Sequence, residues 1–396
     1  MLYLLWVHLE KWLDDRGVRW MFKILDQLTF RALAAAAIAF FVVLFLGKPV
    51  ITWLRRKKIG DAGLADTALL ANAAGSKANV PTMGGLLICA AILGATTLLG
   101  DVSNAYLVAG LLVLTFLAGL GSVDDWLKLT AASRPGGSRQ GLHSWEKLIF
   151  QLGLGFLVSW FIYNKGDTIG PAKDLAHVLS IPFQATYVKG GLEVNPNIIE
   201  LPKMLFVFIG VLMIAGMSNA LNITDGMDGL AAGTTAIVSL GMAVLVYIAG
   251  WQTAAQYLLM PYVDGTNELL VLVAATAGAC LGFLWWNCSP AQVFMGDTGS
   301  LALGGVLGYL AIVIRQEVLL LIMSGVFIME ISSVVLQVSY FKYTRKRTGT
   351  GQRLFKVAPI HHHFHIVGWT EQTVVARFWI ITAILVIGAI ALVKVR

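Results

Sequence analysis

Leu301-Ala-Leu-Gly-Gly-Val-Leu-Gly-Tyr-Leu-Ala-Ile-Val-Ile314 is followed by Arg315-Gln316-Glu317, and then by Val318-Leu-Leu-Leu-Ile-Met-Ser-Gly-Val-Phe-Ile-Met-Glu330-Ile-Ser-Ser-Val-Val-Leu-Gln-Val338. Two apolar runs, each near the length that crosses hydrocarbon, are separated by a cation, an amide and an acid. Charged groups are costly at the centre of a bilayer, so the triplet is expected to mark a return to a membrane surface. If the runs were one helix instead, every residue after Glu317 would change sides.

Working outward from this pair, the same kind of run recurs along the chain. We place ten: 32–46, 81–99, 105–123, 148–163, 204–221, 230–249, 269–286, 301–314, 318–338 and 374–393. They are continuously apolar rather than alternating, and unpaired backbone is prohibitive in lipid, so the expected class is all-α with ten transmembrane helices. Hydrophobic residues make up 57% of the 396 and charged residues 13%, about half the charged share of a soluble domain. No soluble domain stands apart. Residues 1–28 mix Trp6, Trp12, Trp20 and Phe22 with charges and lack a small-residue cleavage site, which fits an interfacial segment preceding a transmembrane catalytic domain at 29–396.

Basic residues orient the bundle. The loops after the first, third, fifth, seventh and ninth runs hold sixteen Lys and Arg, and the other four loops hold five. By the positive-inside rule the first set is cytoplasmic and both termini are periplasmic. The net charge of +7 is then a matter of topology and anionic headgroups or phosphorylated substrates, and no nucleic acid partner is expected. Cys89, Cys280 and Cys288 have no C-x-x-C spacing and read as reduced packing residues. The Gly- and Pro-containing stretch 164–203 is the sizeable external segment and reads as a solvated connector.

The chemically distinctive clusters all fall in the cytoplasmic loops. Asp124-Asp125 close the third run, where a helix C-terminus repels acids; they read either as a solvated cap or as a metal ligand or general base. Lys128, one turn on, could offset them or bind phosphate. Asn219-Ala-Leu-Asn222-Ile-Thr-Asp225-Gly226-Met-Asp228-Gly229 spaces four polar groups by three, one face of a helix if helical, or a turn otherwise. In Asn287-Cys-Ser-Pro-Ala-Gln-Val-Phe294-Met-Gly296-Asp297-Thr-Gly299-Ser300 an acid flanked by glycines precedes a helix. Asp297 could supply a hard oxygen to magnesium, the helix-start amides could hold phosphate, and Phe294 could stack on a base or simply pack.

Lys77, followed by Pro81-Thr82-Met-Gly84-Gly85, resembles a phosphate cradle. The arrangement Pro359-Ile-His361-His362-His363-Phe-His365 suits phosphate hydrogen bonding and proton handling better than zinc, for which thiolates and an H-E-x-x-H pattern are missing. Glu330 lies within an apolar run and calls for a partner.

Taken together, Pro81-Thr-Met-Gly-Gly85, Asp124-Asp125, Asn222-x-Thr-Asp225-Gly-x-Asp228-Gly229, Phe294-Met-Gly-Asp297-Thr-Gly-Ser300 and Ala358-Pro-Ile-His-His-His363 resemble the phospho-N-acetylmuramoyl-pentapeptide transferase family, of the polyprenyl-phosphate N-acetylhexosamine-1-phosphate transferases. The resemblance runs in order from about Leu44 to the C-terminus. It implies transfer of phospho-MurNAc-pentapeptide from UDP-MurNAc-pentapeptide to undecaprenyl phosphate, giving lipid I and UMP, by a Mg2+-dependent homodimer in the bacterial inner membrane with its active site at the cytoplasmic face. It further implies Asp297 as metal ligand and Asp124 as base beside Asp125. Asn219, Asn222, Asp225, Asp228, Asn287 and Phe294 would face the nucleoside, and Lys77, Thr82, Lys128, Gly296 and Ser300 would make ligand and phosphate contacts, with His361 and His362 in the histidine motif. This chain departs from the family at His365, in a long 125–147 loop and in its N-terminal extension.

Two other readings stay in view. A sister GlcNAc-1-phosphate transferase is disfavoured by the Pro-Thr-Met-Gly-Gly and triple-His motifs. A secondary transporter would cluster its acids at the midplane rather than at one face.

Overall fold

The computed structural model describes residues 2–16, 23–56, 80–130, 141–166, 175–188 and 193–394. Lys77, expected to contact phosphate, lies outside them. After the surface helix α1 (Leu2–Asp15) come α2 (Leu28–Arg56), α3 (Gly85–Leu99), α4 (Ala105–Thr130), α5 (Ser144–Lys165), α6 (Lys203–Thr224) and α7 (Leu230–Ala249). They are followed by the short α8 (Gln252–Tyr257), α9 (Leu269–Asn287), α10 (Gly296–Val313), α11 (Glu317–Met323), α12 (Gly325–Thr348), α13 (Ile360–Val367) and α14 (Glu371–Val393). Among the described residues nine helices are long and apolar enough to cross a membrane, and α3 is a shorter apolar helix of 15 residues, about 22 Å at ~1.5 Å per residue. The protein is therefore an all-α, polytopic membrane protein.

The bundle is built around α10. Every residue from Thr298 to Val313 is buried. Lipid offers no hydrophobic drive between helices, so close backbone approach has to hold them, and small residues permit it. A side chain at Gly304 or Gly308 would meet the Met217 or Met213 carbonyl of α6 at 2.3 and 2.4 Å. Around α10 stand α3, α4, α6 and α7, so the residues at its N-terminus are surrounded by the ends of those helices.

The break at Arg315 is real, but its surroundings differ from a solvated loop. The chain leaves α10 with Arg315 at φ 57°. Its guanidinium donates to the Val178 and Ile312 carbonyls at 2.9 and 3.1 Å, pairs with Glu317 at 2.7 Å and lies 4.4 Å over the Phe206 ring. Val178 belongs to β1 (Val178–Leu179), paired antiparallel with β2 (Ile199–Glu200). Leu175, Tyr187 and Leu201 are buried there too, which corrects the reading of 164–203 as a solvated connector. A buried Arg–Glu pair needs its remaining hydrogen bonds satisfied, and the hairpin carbonyl contributes one.

A second difference concerns residues 318–338, expected as one helix and found as α11 and α12 broken at Ser324. The break falls at Ser324-Gly325, a Ser/Gly pair of the kind at which helices kink, and a Cβ on Gly325 would lie 2.7 Å from Leu385 of α14. At the end of the bundle away from the acidic clusters, Arg31 makes a two-pronged ion pair with Glu268 at 2.6 and 2.8 Å and also donates to the Leu99 carbonyl.

Candidate active site

The acidic clusters converge at the other end of the bundle. α4 continues past Asp124 and Asp125 to Thr130, so the pair stands inside the helix, and the expected conflict with a helix C-terminus does not arise. One turn separates Asp124 from Lys128, whose Nζ pairs with Asp124 Oδ2 at 2.8 Å and Asp297 Oδ2 at 3.2 Å. A second lysine, Lys147, reaches the same two oxygens at 3.2 and 2.9 Å. Two ammonium groups thus bridge two carboxylates from different helices. Asp124 Oδ1 also accepts the Leu142 amide at 2.7 Å.

Asp125 faces the other way. Its carboxylate accepts the backbone amides of Asp297 and Thr298 at 3.1 and 3.0 Å and the Thr298 hydroxyl at 2.7 Å. It caps the N-terminus of α10 from a neighbouring helix, where the macrodipole favours a negative charge. Asp225, following the end of α6, accepts the Gly296 amide at 3.2 Å. These amides were expected to be available to phosphate, and the acids already engage them. Gly84 and Gly85 are likewise engaged, donating to the Phe294 and Met295 carbonyls at 2.8 Å, while Phe294 donates to Pro81. The Pro81–Gly85 segment is therefore a strap docked on the 294–296 loop, and its two glycine amides form no phosphate cradle. The positive charge beside these acids is that of Lys128 and Lys147.

Asn222 binds both Asp297 Oδ1 and the Ser300 hydroxyl at 2.9 Å, and Ser300 donates to the Gly296 carbonyl. Thr82 faces Gly296, its hydroxyl 2.8 Å from where a Cβ would stand. The four polar positions at spacing three do not share one face, because α6 ends at Thr224. Asn219 turns to Gln151 of α5 at 2.7 Å. Asp228 and Asn287 are buried fasteners: Asp228 accepts the Ala291 amide, and Asn287 accepts from Gly229 and donates to Val293. Desolvation, then the nearby Asp297 carboxylate, push the Asp225 carboxyl up to about 7, against the lowering effect of the Gly296 amide.

The histidines divide by role. His361 is fully buried, its Nδ1 3.0 Å from Glu330, which identifies the partner that Glu330 required. Its Nε2 packs on Gly226, beside Asp225. His362 is half-buried against the His361 ring, His363 accepts the Lys356 amide, and His365 bonds the Trp369 carbonyl.

Lys147 and Thr298 were not anticipated as site residues. At the start of α5 Glu146 reaches back to the His143 amide at 2.9 Å, which places Lys147 in the first turn of that helix and shortens the supposed 125–147 loop.

Ligand oxygens of Asp124, Asp125 and Asp297 all lie within 4.8 Å of one another. Hard oxygen donors gathered this closely are the surroundings a divalent cation takes up. Residues 107–315, more than half the chain and including Asp124, Asp125, Asp225, Asp228 and Asp297, match the family model described as Glycosyl transferase family 4. The chain is 39% identical over 401 residues to the phospho-N-acetylmuramoyl-pentapeptide-transferase of Salinibacter ruber, covering 100% of both chains. It is 41% identical to the enzyme of that name from Desulfotalea psychrophila over 95% of this chain and 96% of that one. The corresponding enzyme of Thermodesulfovibrio yellowstonii is also 41% identical, over 94% and 95%.

The chain belongs to the phospho-N-acetylmuramoyl-pentapeptide-transferase family. As a member of that phospho-N-acetylmuramoyl-pentapeptide-transferase family it is a multi-pass membrane phosphoglycosyl transferase, and its polar centre has the composition such a reaction needs. Two phosphates repel, and transfer between them depends on positioning and charge neutralisation more than on covalent chemistry.

Proposed function

We propose that this centre transfers phospho-MurNAc-pentapeptide from UDP-MurNAc-pentapeptide to undecaprenyl phosphate, forming lipid I and UMP for peptidoglycan synthesis. The observation that carries the proposal is the pair Lys128 and Lys147 bridging Asp124 and Asp297, joined to full-length similarity with enzymes of that name.

Asp297 would hold Mg2+, with Asp124 and Asp125 close beside it. Bound there, Mg2+ would neutralise charge developing on the phosphates. Lys128 and Lys147 draw the two phosphates together. Asn222 and Ser300 keep the Asp297 carboxylate oriented. Asp124 receives the proton of the acceptor phosphate where it still carries one. The acceptor oxygen attacks the sugar-linked phosphorus in line and UMP leaves. Asp225, His362 and Phe294 border the nucleotide, and Asn219, Asp228, Asn287 and His361 support that border from behind.

The proposal includes ten spans, counting α3, with both termini periplasmic and the centre cytoplasmic, which the distribution of basic residues supports. An interfacial role for the segment before α2 is supported by α1, which presents Leu5, Leu9 and Trp12 outward while Trp6 bonds Asp26. A homodimer is proposed on the family resemblance alone, and light scattering of the purified protein at twice 42.8 kDa tests it.

The deciding experiment supplies undecaprenyl phosphate, Mg2+ and either UDP-MurNAc-pentapeptide or UDP-GlcNAc to membrane vesicles and measures UMP. Release with the first donor alone, in inverted but not right-side-out vesicles, is expected. Chelation of divalent cations, or Asp297→Asn, should remove nearly all of it. Release with UDP-GlcNAc instead would assign the sister activity.

A further inference from the structure

The turn from Asp225 to Gly229 joins α6 to α7, and the last membrane span holds it in place. The Asp228 amide donates to Glu371 Oε1 at 2.9 Å, and the Gly229 carbonyl accepts the Trp379 indole N–H at 3.2 Å. Both partners belong to α14, Glu371 in its first turn and Trp379 about two turns further on. Met227, in the middle of the turn, packs into a small apolar cluster with Val374, Val375 and Phe378 of the same helix, separate from the main core. Gly229 stands at φ 79°, in the left-handed region, and the Trp379 ring lies 3.5 Å from where its Cβ would be. One turn into α7, a Cβ at Gly233 would strike the indole nitrogen, so the ring fills a slot between two glycines four residues apart. At its first residue the turn meets the polar centre, where the Asp225 carboxylate accepts the Gly296 amide.

A backbone amide or carbonyl taken out of water without a partner is costly, so a turn that loses one of these bonds shifts until it finds another. We propose that Glu371 and Trp379 are positioning residues for the nucleotide donor: α14 clamps the Asp225–Gly229 turn and thereby sets where Asp225 stands against the nucleotide. This rests on the transferase reading given above. The clamp acts on the donor through the turn, whereas Lys128 and Lys147 stand on α4 and α5, which the turn does not join. The nucleoside lies away from the bond that breaks, and its contacts are the same before and during transfer. Weakening the clamp therefore costs donor affinity more than it costs the chemical step.

Full-length protein in inverted vesicles is assayed for transfer from labelled UDP-MurNAc-pentapeptide to undecaprenyl phosphate, each substrate being varied in turn, with added UMP as a competitor of the donor. Glu371→Ala is expected to raise the donor KM and the inhibition constant of UMP about tenfold each, the worth of one hydrogen bond to a charged acceptor. Its kcat should change by less than about threefold and its acceptor KM should stay put, a split that general loosening of the fold would not produce. Glu371→Gln keeps an acceptor oxygen and is expected to bring both donor constants back to within about threefold of wild type. Unchanged donor constants, a fall in kcat alone, an equal change in both KM values, or no recovery in Glu371→Gln overturns the clamp. Should Glu371→Ala fail to insert, Trp379→Phe, which keeps a ring for the glycine slot but lacks the N–H, is read by the same donor and acceptor criteria. Wild-type protein that transfers nothing from UDP-MurNAc-pentapeptide overturns the transferase reading itself, an outcome distinct from the others.

Discussion

Asp297 shows how much a single residue's role depends on its neighbours. One of its oxygens meets Lys128 and Lys147, the other meets Asn222, and its own amide is held by Asp125. The two lysines are not equivalent. The Lys128 side chain is 45% exposed and Lys147 19%, and Lys147 sits closer to Asp297. A charge in the drier position is screened less, so Lys147→Met should lower kcat/KM by about 10²–10³ and Lys128→Met by about tenfold or less. Steady-state UMP release measures both, and a larger loss at Lys128 would overturn the ranking. Asp297 was legible in the sequence because glycines flank it before an apolar run. Lys147 was not, because its importance comes from the approach of α5 to α4, which no local pattern encodes.

Among the elements, α10 depends most on its neighbours. The amides at its start would be orphans without help, and Asp125 of α4 and Asp225 beyond α6 accept from them. Asp125→Asn keeps the shape but removes the charge facing the helix dipole and turns one acceptor into a donor. It should cost about 1–3 kcal/mol, seen as a lower Tm in detergent, together with reduced turnover. Lost turnover at an unchanged Tm would mean that Asp125 acts on substrate and not on the helix. The apolar runs located the spanning helices well, since hydropathy is a local property. The break at Ser324 escaped because an apolar run registers hydropathy and passes over a Ser-Gly pair, the kind of step at which helices kink. The strap at Pro81–Gly85 read as a phosphate cradle because sequence shows that amides exist but not what already accepts from them.

For the whole molecule, sequence clustering led to the correct geometry. Loops far apart in the chain each carried acids or histidines, and the structure gathers Asp124, Asp225 and Asp297 at one end of the bundle, with the Arg31–Glu268 pair and the Arg315 hairpin at the other. The 164–203 segment was misjudged because its apolar residues are scattered, and their common burial appears only once the chain folds back over Arg315. The one-sided placement of the centre also bears on energy coupling. A charge that traverses the bilayer exchanges about 2.3 kcal/mol with each 100 mV of membrane potential. On the proposed function both phosphates would meet at one face and the products would form there, so no step would carry charge through the field. Turnover in sealed vesicles should stay flat when a potassium diffusion potential is imposed, and a voltage-dependent rate would show that the reaction is electrically coupled to the membrane.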